Sequence, residues 1–280
     1  MTGASKPMSG RRLRSFCALV LAVPALCAPP ALAAPEGRTA PNILAAPANQ
    51  LVVAGNACGP AALLNAFRAG SPAWQRASQS LAGSSDKERL LRIIREIGMR
   101  PSRQTPGRPR WSRRGVSVAD LLDMANEMIA GLYLPQLGAE VFFLKPRETP
   151  DQLVRRVYQR LDTSLAKGLP PVLSLRRYAL RRQPAGPPQW VVLDAHFVTL
   201  TAISRPLAKG ARSFAVSYID PWGARRCRGS IGISGQPLLA DAAGRSSCLE
   251  ADFPQAGVGE IFVRHGEETV LVAAAAIGRR

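Results

Sequence analysis

The fold prediction starts from an apolar stretch that has a cysteine near its head: Gly55-Asn56-Ala57-Cys58-Gly59-Pro60-Ala61-Ala62-Leu63-Leu64-Asn65. Pro60 suits the first turn of a helix and apolar residues follow it, so we predict a helix from about Gly59 to Arg68, ended by Gly70. A thiol at the start of a helix lies near free backbone N–H groups and the positive end of the helix dipole, and both favour the thiolate. Cys58 is therefore a candidate nucleophile.

A candidate base and a candidate orienting carboxylate follow Cys58 along the chain. His196 opens a strand-like apolar run, and Asp220 ends the next one. His196 lies 138 residues after Cys58, inside the roughly 130–150 residues that separate Cys and His in papain-type enzymes. Asp194 competes with Asp220 for the orienting role, because residues 194 and 196 share one face of a strand. We favour Asp220, because it ends a strand and its Pro-Trp neighbours would shield the pair from water.

The chain offers candidate donors for an oxyanion hole but no candidate metal site. The backbone N–H of Cys58 is the natural first oxyanion donor, and the side-chain amides of Gln50 and Asn56 are the candidates for the second. The chain has two histidines, and we find no ligand cluster with the spacing of a zinc site. We expect no metal and no cofactor.

The order of predicted elements indicates an α+β fold with two lobes. Three further helices are expected to begin at Ser85, Ser117 and Thr149, each with a side chain able to cap its first turn. Strand-like runs come mostly later, which predicts an N-terminal helical part whose nucleophile helix packs on a C-terminal antiparallel sheet. The predicted strands are 140–144, 171–175, 189–193, 196–203, 214–219, 260–263 and 269–273.

Three short motifs carry a resemblance to a known family. They are Asn56-x-Cys58-Gly59-Pro60-Ala61-Ala62, Ala195-His196-Phe197-Val198 and Asp220-Pro221-Trp222. In this order the motifs resemble those of the C39-like cysteine peptidases of the papain-like clan, over roughly residues 48–225. The resemblance implies a papain-like domain over residues 48–280, with Cys58 attacking, His196 as the base and Asp220 orienting it. Neither Gln50 nor Asn56 lies at that family's usual spacing for the oxyanion amide.

The N-terminus is typical of an export signal. Basic residues at 11, 12 and 14 precede an apolar core from Phe16 to Ala28, and Ala31-Leu32-Ala33 fits a small-residue cleavage site. We expect residues 1–34 to be a cleaved signal peptide and residues 35–47 to be a linker or short pro-region. The apolar core is short for a bilayer span, so no stable membrane insertion is expected. The expected location is secreted or periplasmic.

Cysteine count and charge complete the expectations. Cys227 and Cys248 lie in Gly/Ser-rich sequence, and we predict a disulfide between them, worth roughly 3 kcal/mol, that leaves Cys58 as the free thiol. The net charge of +18 comes from widely spread arginines with few aromatic residues. We therefore expect anionic envelope polymers or an acidic partner protein, rather than nucleic acid, as the partners that respond to this charge.

Together these features predict an exported cysteine peptidase that cleaves peptide or protein substrates through a Cys58 acyl-enzyme. Two alternatives stay open. One is a catalytically inactive papain-like domain that binds peptides or cell-envelope material. The other is amide chemistry on peptidoglycan, or acyl transfer, run by the same three residues. The sequence carries no signal of the oligomeric state.

Overall fold

Six antiparallel strands form a closed barrel. The computed structural model describes residues 37–53, 56–182, 186–204, 207–235 and 248–280. Around the barrel each strand pairs with the next, and the last pairs with the first. The order is β6 (Gln189–Ser204), β5 (Val172–Arg181), β10 (Thr269–Gly278), β9 (Leu249–Asp252), β8 (Arg225–Ile233) and β7 (Ser213–Asp220).

Within the described residues, four further short strands lie outside the ring. β1 (Gly37–Thr39) pairs with the end of β6, and β4 (Gly138–Val141) pairs with β10. β2 (Trp111–Ser112) and β3 (Gly115–Val116) form a small separate hairpin. Because β1 hydrogen-bonds to β6, part of the predicted linker at 35–47 belongs to the sheet. Residues 34–280 form one compact unit.

The described residues contain five α-helices, and three of them begin at a side-chain cap. Ser85, Ser117 and Thr149 each accept a hydrogen bond from the backbone N–H three residues later, so these three predicted helix starts are confirmed. The first helix begins at Cys58 and is followed by Gly70, as expected. The helices are α1 (Cys58–Ala69), α2 (Pro72–Gln79), α3 (Asp86–Arg92), which continues as a π-helix over Ile93–Gly98, α4 (Val118–Met128) and α5 (Pro150–Ala166).

Two apolar clusters hold these elements together. One cluster joins the barrel strands to the apolar face of α5. The other joins α1 to α2, α3 and α4, and it includes the outward-facing Phe197 of β6. A buried hydrogen bond ties the two layers, because the Thr199 hydroxyl on β6 donates to the Ala62 carbonyl of α1 at 2.8 Å. The helix that carries Cys58 is thus fixed to the strand that carries His196.

The predicted fold class, a papain-like two-lobe fold with a helical part on an antiparallel sheet, is wrong because the sheet closes into a barrel. β8 and β9, which close it, were not predicted, since the Gly/Ser-rich sequence around Cys227 and Cys248 was interpreted as loop. In β8 the glycines allow close packing: a Cβ on Gly229 would lie 2.5 Å from the Asp252 carbonyl oxygen. Another predicted strand, 260–263, is a 3-10 helix over Glu260–Phe262, and the two predicted strands 189–193 and 196–203 are one strand.

The membrane and export expectations have different outcomes. Within the ranges that the structure describes, no helix is both long enough and apolar enough to cross a bilayer. The predicted signal peptide, residues 1–34, lies outside the described residues.

Candidate active site

Cys58 is the first residue of α1. The residue after it, Gly59, lies where the surrounding residues leave no room for a side chain. The Cys58 side chain is buried, with 7% of the residue exposed. A Cβ on Gly59 would lie 2.5 Å from Cγ1 of Val116, so the β2–β3 hairpin packs directly against the start of the helix. The N–H groups of a first helical turn have no acceptor within the helix, so the backbone N–H of Cys58 is available to a ligand.

His196 and Asp220 meet because β6 and β7 are neighbours. Thr199 pairs with Ile219 and Leu200 with Tyr218 in this antiparallel ladder. Continuing that register places His196 one diagonal step from Asp220 on the same face, a separation that long side chains can bridge. The His196 Nε2 lies 2.7 Å from the Asp220 Oδ1. The pairing of two strands therefore positions the proposed base and its carboxylate.

Asp220 is fully buried, and both of its carboxylate oxygens are hydrogen-bonded. The Trp222 backbone N–H donates to Oδ1 at 2.9 Å, and an Arg225 Nη2 donates to Oδ2 at 2.7 Å. Together with His196, these donors satisfy a charge that would otherwise be costly to bury. The carboxylate is thereby held in one orientation toward the imidazole.

The second ring nitrogen of His196 serves Cys58. Because Nε2 contacts Asp220, Nδ1 is the ring nitrogen left to form the hydrogen bond between His196 and the Cys58 side chain. Burial alone would lower the pKa of His196, but the hydrogen bonds to Asp220 and Cys58 outweigh it and raise this pKa to about 9. The imidazole is therefore protonated at neutral pH, which favours a thiolate–imidazolium pair.

Of the two candidate oxyanion amides, Gln50 is the better placed. Gln50 is buried, and its backbone N–H donates to the Pro221 carbonyl at 2.9 Å, which fixes it beside the segment that follows Asp220. Asn56 also lines the cleft, but its side-chain amide donates to the Arg113 carbonyl and its own carbonyl accepts from the Trp111 indole. Asn56 is thus engaged with the β2–β3 hairpin.

These groups open into a cleft of about 460 Å³. Cys58, Gln50 and Asn56 line it together with the loop that connects β9 to the 3-10 helix at Glu260–Phe262. Two arginines hold this loop: Arg225 donates to the Gln255 carbonyl at 2.7 Å, and Arg177 donates to the Val258 carbonyl. The cleft is lined by Gln50, Asn56, Cys58, residues 194–196, Trp222, Arg225 and residues 254–261.

Sequence reasoning missed Arg225 and the loop 254–261. Arg225 follows Asp220 by five residues in a basic run, and nothing in that run distinguishes it from its neighbours. The loop lies far along the chain and reaches the cleft only because β9 closes the barrel. Asp194, the rival orienting residue, lines the cleft but is not the carboxylate that His196 contacts.

The predicted disulfide between Cys227 and Cys248 is wrong, because all three cysteines of the described residues are free thiols. The Cys248 carbonyl accepts from Ser234 of the neighbouring chain segment, seven positions beyond Cys227. At the rise of a β-strand the two cysteines are roughly 20 Å apart, far beyond disulfide reach. Burial raises the pKa of both thiols, that of Cys248 to about 12.

The chemistry available in the cleft is that of a nucleophile with an acid–base partner. No group of three or more His, Cys, Asp or Glu side chains suited to a metal ion occurs in the part of the chain that the structure describes. Comparison with known proteins gives no relative: no family model, curated protein or solved structure matches the chain. The resemblance to C39-like cysteine peptidases therefore depends on its three short motifs, and the site is interpreted from its own geometry.

Proposed function

We propose that this protein is a thiol hydrolase that cleaves amide bonds in peptides or proteins through a Cys58 acyl-enzyme. His196 acts as general base and acid, and Asp220 holds and charges the imidazole. One observation carries the proposal: a buried imidazole that hydrogen-bonds Asp220 through one nitrogen and Cys58 on its other side, inside an open cleft. This is the arrangement that nucleophilic catalysis by a thiol needs.

In the first half-reaction the Cys58 thiolate attacks the amide carbonyl carbon, and the carbonyl oxygen becomes an oxyanion. The Cys58 backbone N–H and the Gln50 side chain are the donors placed to stabilise that charge. As the C–N bond breaks, the His196 imidazolium gives its Nδ1 proton to the departing amine. The amine leaves neutral, and the acyl group stays on the sulfur as a thioester.

In the second half-reaction His196, now neutral, takes a proton from water. The resulting hydroxide attacks the thioester carbon, and the thiolate departs with the sulfur–carbon bond electrons. The product is a carboxylic acid, which ionises, and the thiolate–imidazolium pair is restored. Asp220 stabilises the imidazolium at each stage through the 2.7 Å contact to Nε2.

The compartment and the family remain part of the proposal. The N-terminal basic and apolar residues support a secreted or periplasmic enzyme, and the three motifs support a relationship to C39-like cysteine peptidases. The net charge of +18 supports contact with anionic envelope polymers. The mass of the protein recovered after export would show whether residues 1–34 are removed.

The test uses an electrophilic acyl probe and the full chain. Cys58→Ser should abolish labelling and peptide cleavage, with circular dichroism confirming that the fold is retained. Cys248→Ala is the matched control: its buried thiol has a pKa of about 12, stays protonated at neutral pH and should not compete for the probe. Labelling undiminished in Cys58→Ser would place the nucleophile elsewhere.

A second experiment separates an enzyme from a binding module. The protein is incubated with a mixture of peptides and, separately, with purified cell-wall sacculi, and products are identified by mass spectrometry. New peptide carboxyl termini that depend on Cys58 support the peptidase. Probe labelling without any product from either substrate would favour a domain that binds but does not turn over.

A further inference from the structure

The cleft has an acidic side that the proposed reaction does not use. Asp194 and Glu260 both line it, together with Cys58. Asp194 lies two residues before His196 on β6, on the same face of the strand. It is half-buried, and its Oδ1 accepts the neighbouring Ala195 N–H at 2.8 Å. Asp194 thus lines the same cleft as the nucleophile.

The two arginines near this acidic side already have partners, and Glu260 is one of the partners of Arg177. Arg177 lies opposite Asp194 in the β5–β6 ladder, but its guanidinium donates to the Val258 carbonyl and lies 3.7 Å from Glu260. Arg225 is bound to Asp220 and to the Gln255 carbonyl. Within the described ranges no Lys, Arg or His nitrogen lies within 4.0 Å of the Asp194 carboxylate.

Apolar groups lie in the same cleft as these two carboxylates. Trp222 is 52% exposed and Ile261 is 88% exposed, and both line the cavity. Long basic side chains combine an aliphatic stem, which packs on apolar surface, with a charged head that seeks a carboxylate. An indole face also attracts a cation. A cleft that offers carboxylates and exposed apolar surface together is complementary to such a side chain.

The overall charge of the protein does not cancel this local preference. The chain carries a net charge of +18, but charges more than about 8 Å from a group are largely screened at physiological salt. What a bound group experiences is set by the side chains that line the cleft. The backbone also fixes the acidic side: a Cβ on Gly259 would lie 2.8 Å from the Asp194 Cβ, so the loop packs closely against β6.

Resting on the proposed thiol hydrolase, we propose that the cleft selects substrates with a Lys or Arg side chain next to the scissile amide. Asp194 binds the cationic head, and Trp222 with Ile261 covers the aliphatic stem, while Glu260 stays paired with Arg177. Asp194 is in this view a specificity residue, and His196 keeps Asp220 as its carboxylate. A half-buried carboxylate gains its counter-ion when such a substrate binds.

The test compares acyl probes that differ only in the side chain beside the electrophile: lysine, arginine, norleucine or glutamate. The second-order rate of Cys58 labelling is measured for wild type, Asp194→Asn and Asp194→Lys, with Asp252→Asn as an exposed control on β9, outside the cleft. We expect wild type to prefer lysine over norleucine by about tenfold to hundredfold, the range of a charge-assisted hydrogen bond. Asp194→Asn should reduce that ratio toward one, and Asp194→Lys should shift the preference toward glutamate.

The outcomes separate this inference from the function beneath it. Fast labelling of Cys58 with equal rates for all four probes would overturn the cationic preference and leave the thiol chemistry standing. A lysine preference that survives unchanged in Asp194→Lys would also overturn it, because the carboxylate would then not be its source. Failure of every probe to label Cys58 would overturn both proposals.

Discussion

The most informative perturbation is Asp220→Asn, because it removes one charge and keeps the shape of the side chain. In the wild type the pKa of His196 is raised to about 9 by hydrogen bonds to Asp220 and Cys58, against the effect of burial. The reactive thiolate–imidazolium pair should therefore persist up to about pH 9 and be lost above it. The rate of Cys58 alkylation by a neutral reagent should therefore change near pH 9. We call this change in the pH–rate profile the alkaline limb.

The size of the change follows from the contact that is lost. A hydrogen bond to a charged partner contributes about 1.5–3 kcal/mol, and each pKa unit corresponds to about 1.4 kcal/mol. Removing the Asp220 charge should therefore lower the alkaline limb by about one to two pH units. The burial of the imidazole, which opposes its protonation, stays as it was.

The assay is alkylation by iodoacetamide from pH 5 to 10, with the modified residue identified by mass spectrometry. Asp252→Asn, an exposed carboxylate on β9, is the matched control and should leave the limb near pH 9. The reasoning is refuted if Asp220→Asn leaves the limb in place. It is equally refuted if Asp194→Asn moves the limb instead, because the rival carboxylate would then be the one that acts on His196.

A stability measurement checks the same contact independently. The pKa of His196 in the folded state, about 9, lies above its ordinary value of 6.5. Its protonation therefore adds free energy of unfolding that is fully present below pH 6.5 and lost as the pH rises through 9, about 3 kcal/mol in all. Urea denaturation of wild type and Asp220→Asn should differ most near pH 6 and least near pH 10; a pH-independent difference would contradict this.

Three further substitutions test the surroundings. Arg225→Gln removes the cation beside Asp220, so the alkaline limb should rise above pH 9, whereas Arg226→Gln, whose guanidinium bonds the Ala45 carbonyl, should not move it. Gly59→Ala should lower the free energy of unfolding by about 1–3 kcal/mol in urea, because its methyl meets Val116. Thr199→Val should lower the free energy of unfolding by about 1–2 kcal/mol in the same assay, because the buried Ala62 carbonyl loses its hydrogen-bond donor. Values near zero for the last two would contradict the packing described.

Local chemistry made four of the five α-helices in the described residues predictable, whereas α2, which has no side-chain cap, was not predicted. Ser85 with Glu88, Ser117 with Asp120 and Thr149 with Gln152 are pairs only three residues apart, so the sequence alone contains both halves of each cap. Cys58, His196 and Asp220, which the structure brings together, were singled out from the sequence because each belongs to a short motif with recognisable neighbours.

The closed barrel and the disulfide depended on information that a local pattern does not hold. Gly229 and Gly232 were read as loop residues, yet they lie in β8, and at Gly229 the missing side chain makes room for the segment after β9. Because β8 was not predicted, no strand register was known that could show how far apart Cys227 and Cys248 lie. Register is set by pairing between distant segments, and spacing along the chain does not reveal it.

The hydrogen bond of the Thr199 hydroxyl has a wider consequence for how the proposed activity would be lost on heating. The nucleophile belongs to the helical cluster, and its imidazole partner belongs to the barrel. Partial loosening between these two layers would separate sulfur from imidazole while each layer still kept its own secondary structure. Loss of the proposed activity on heating should therefore begin several degrees below the main melting transition. The temperature of inactivation would then report the stability of the contact between the two layers.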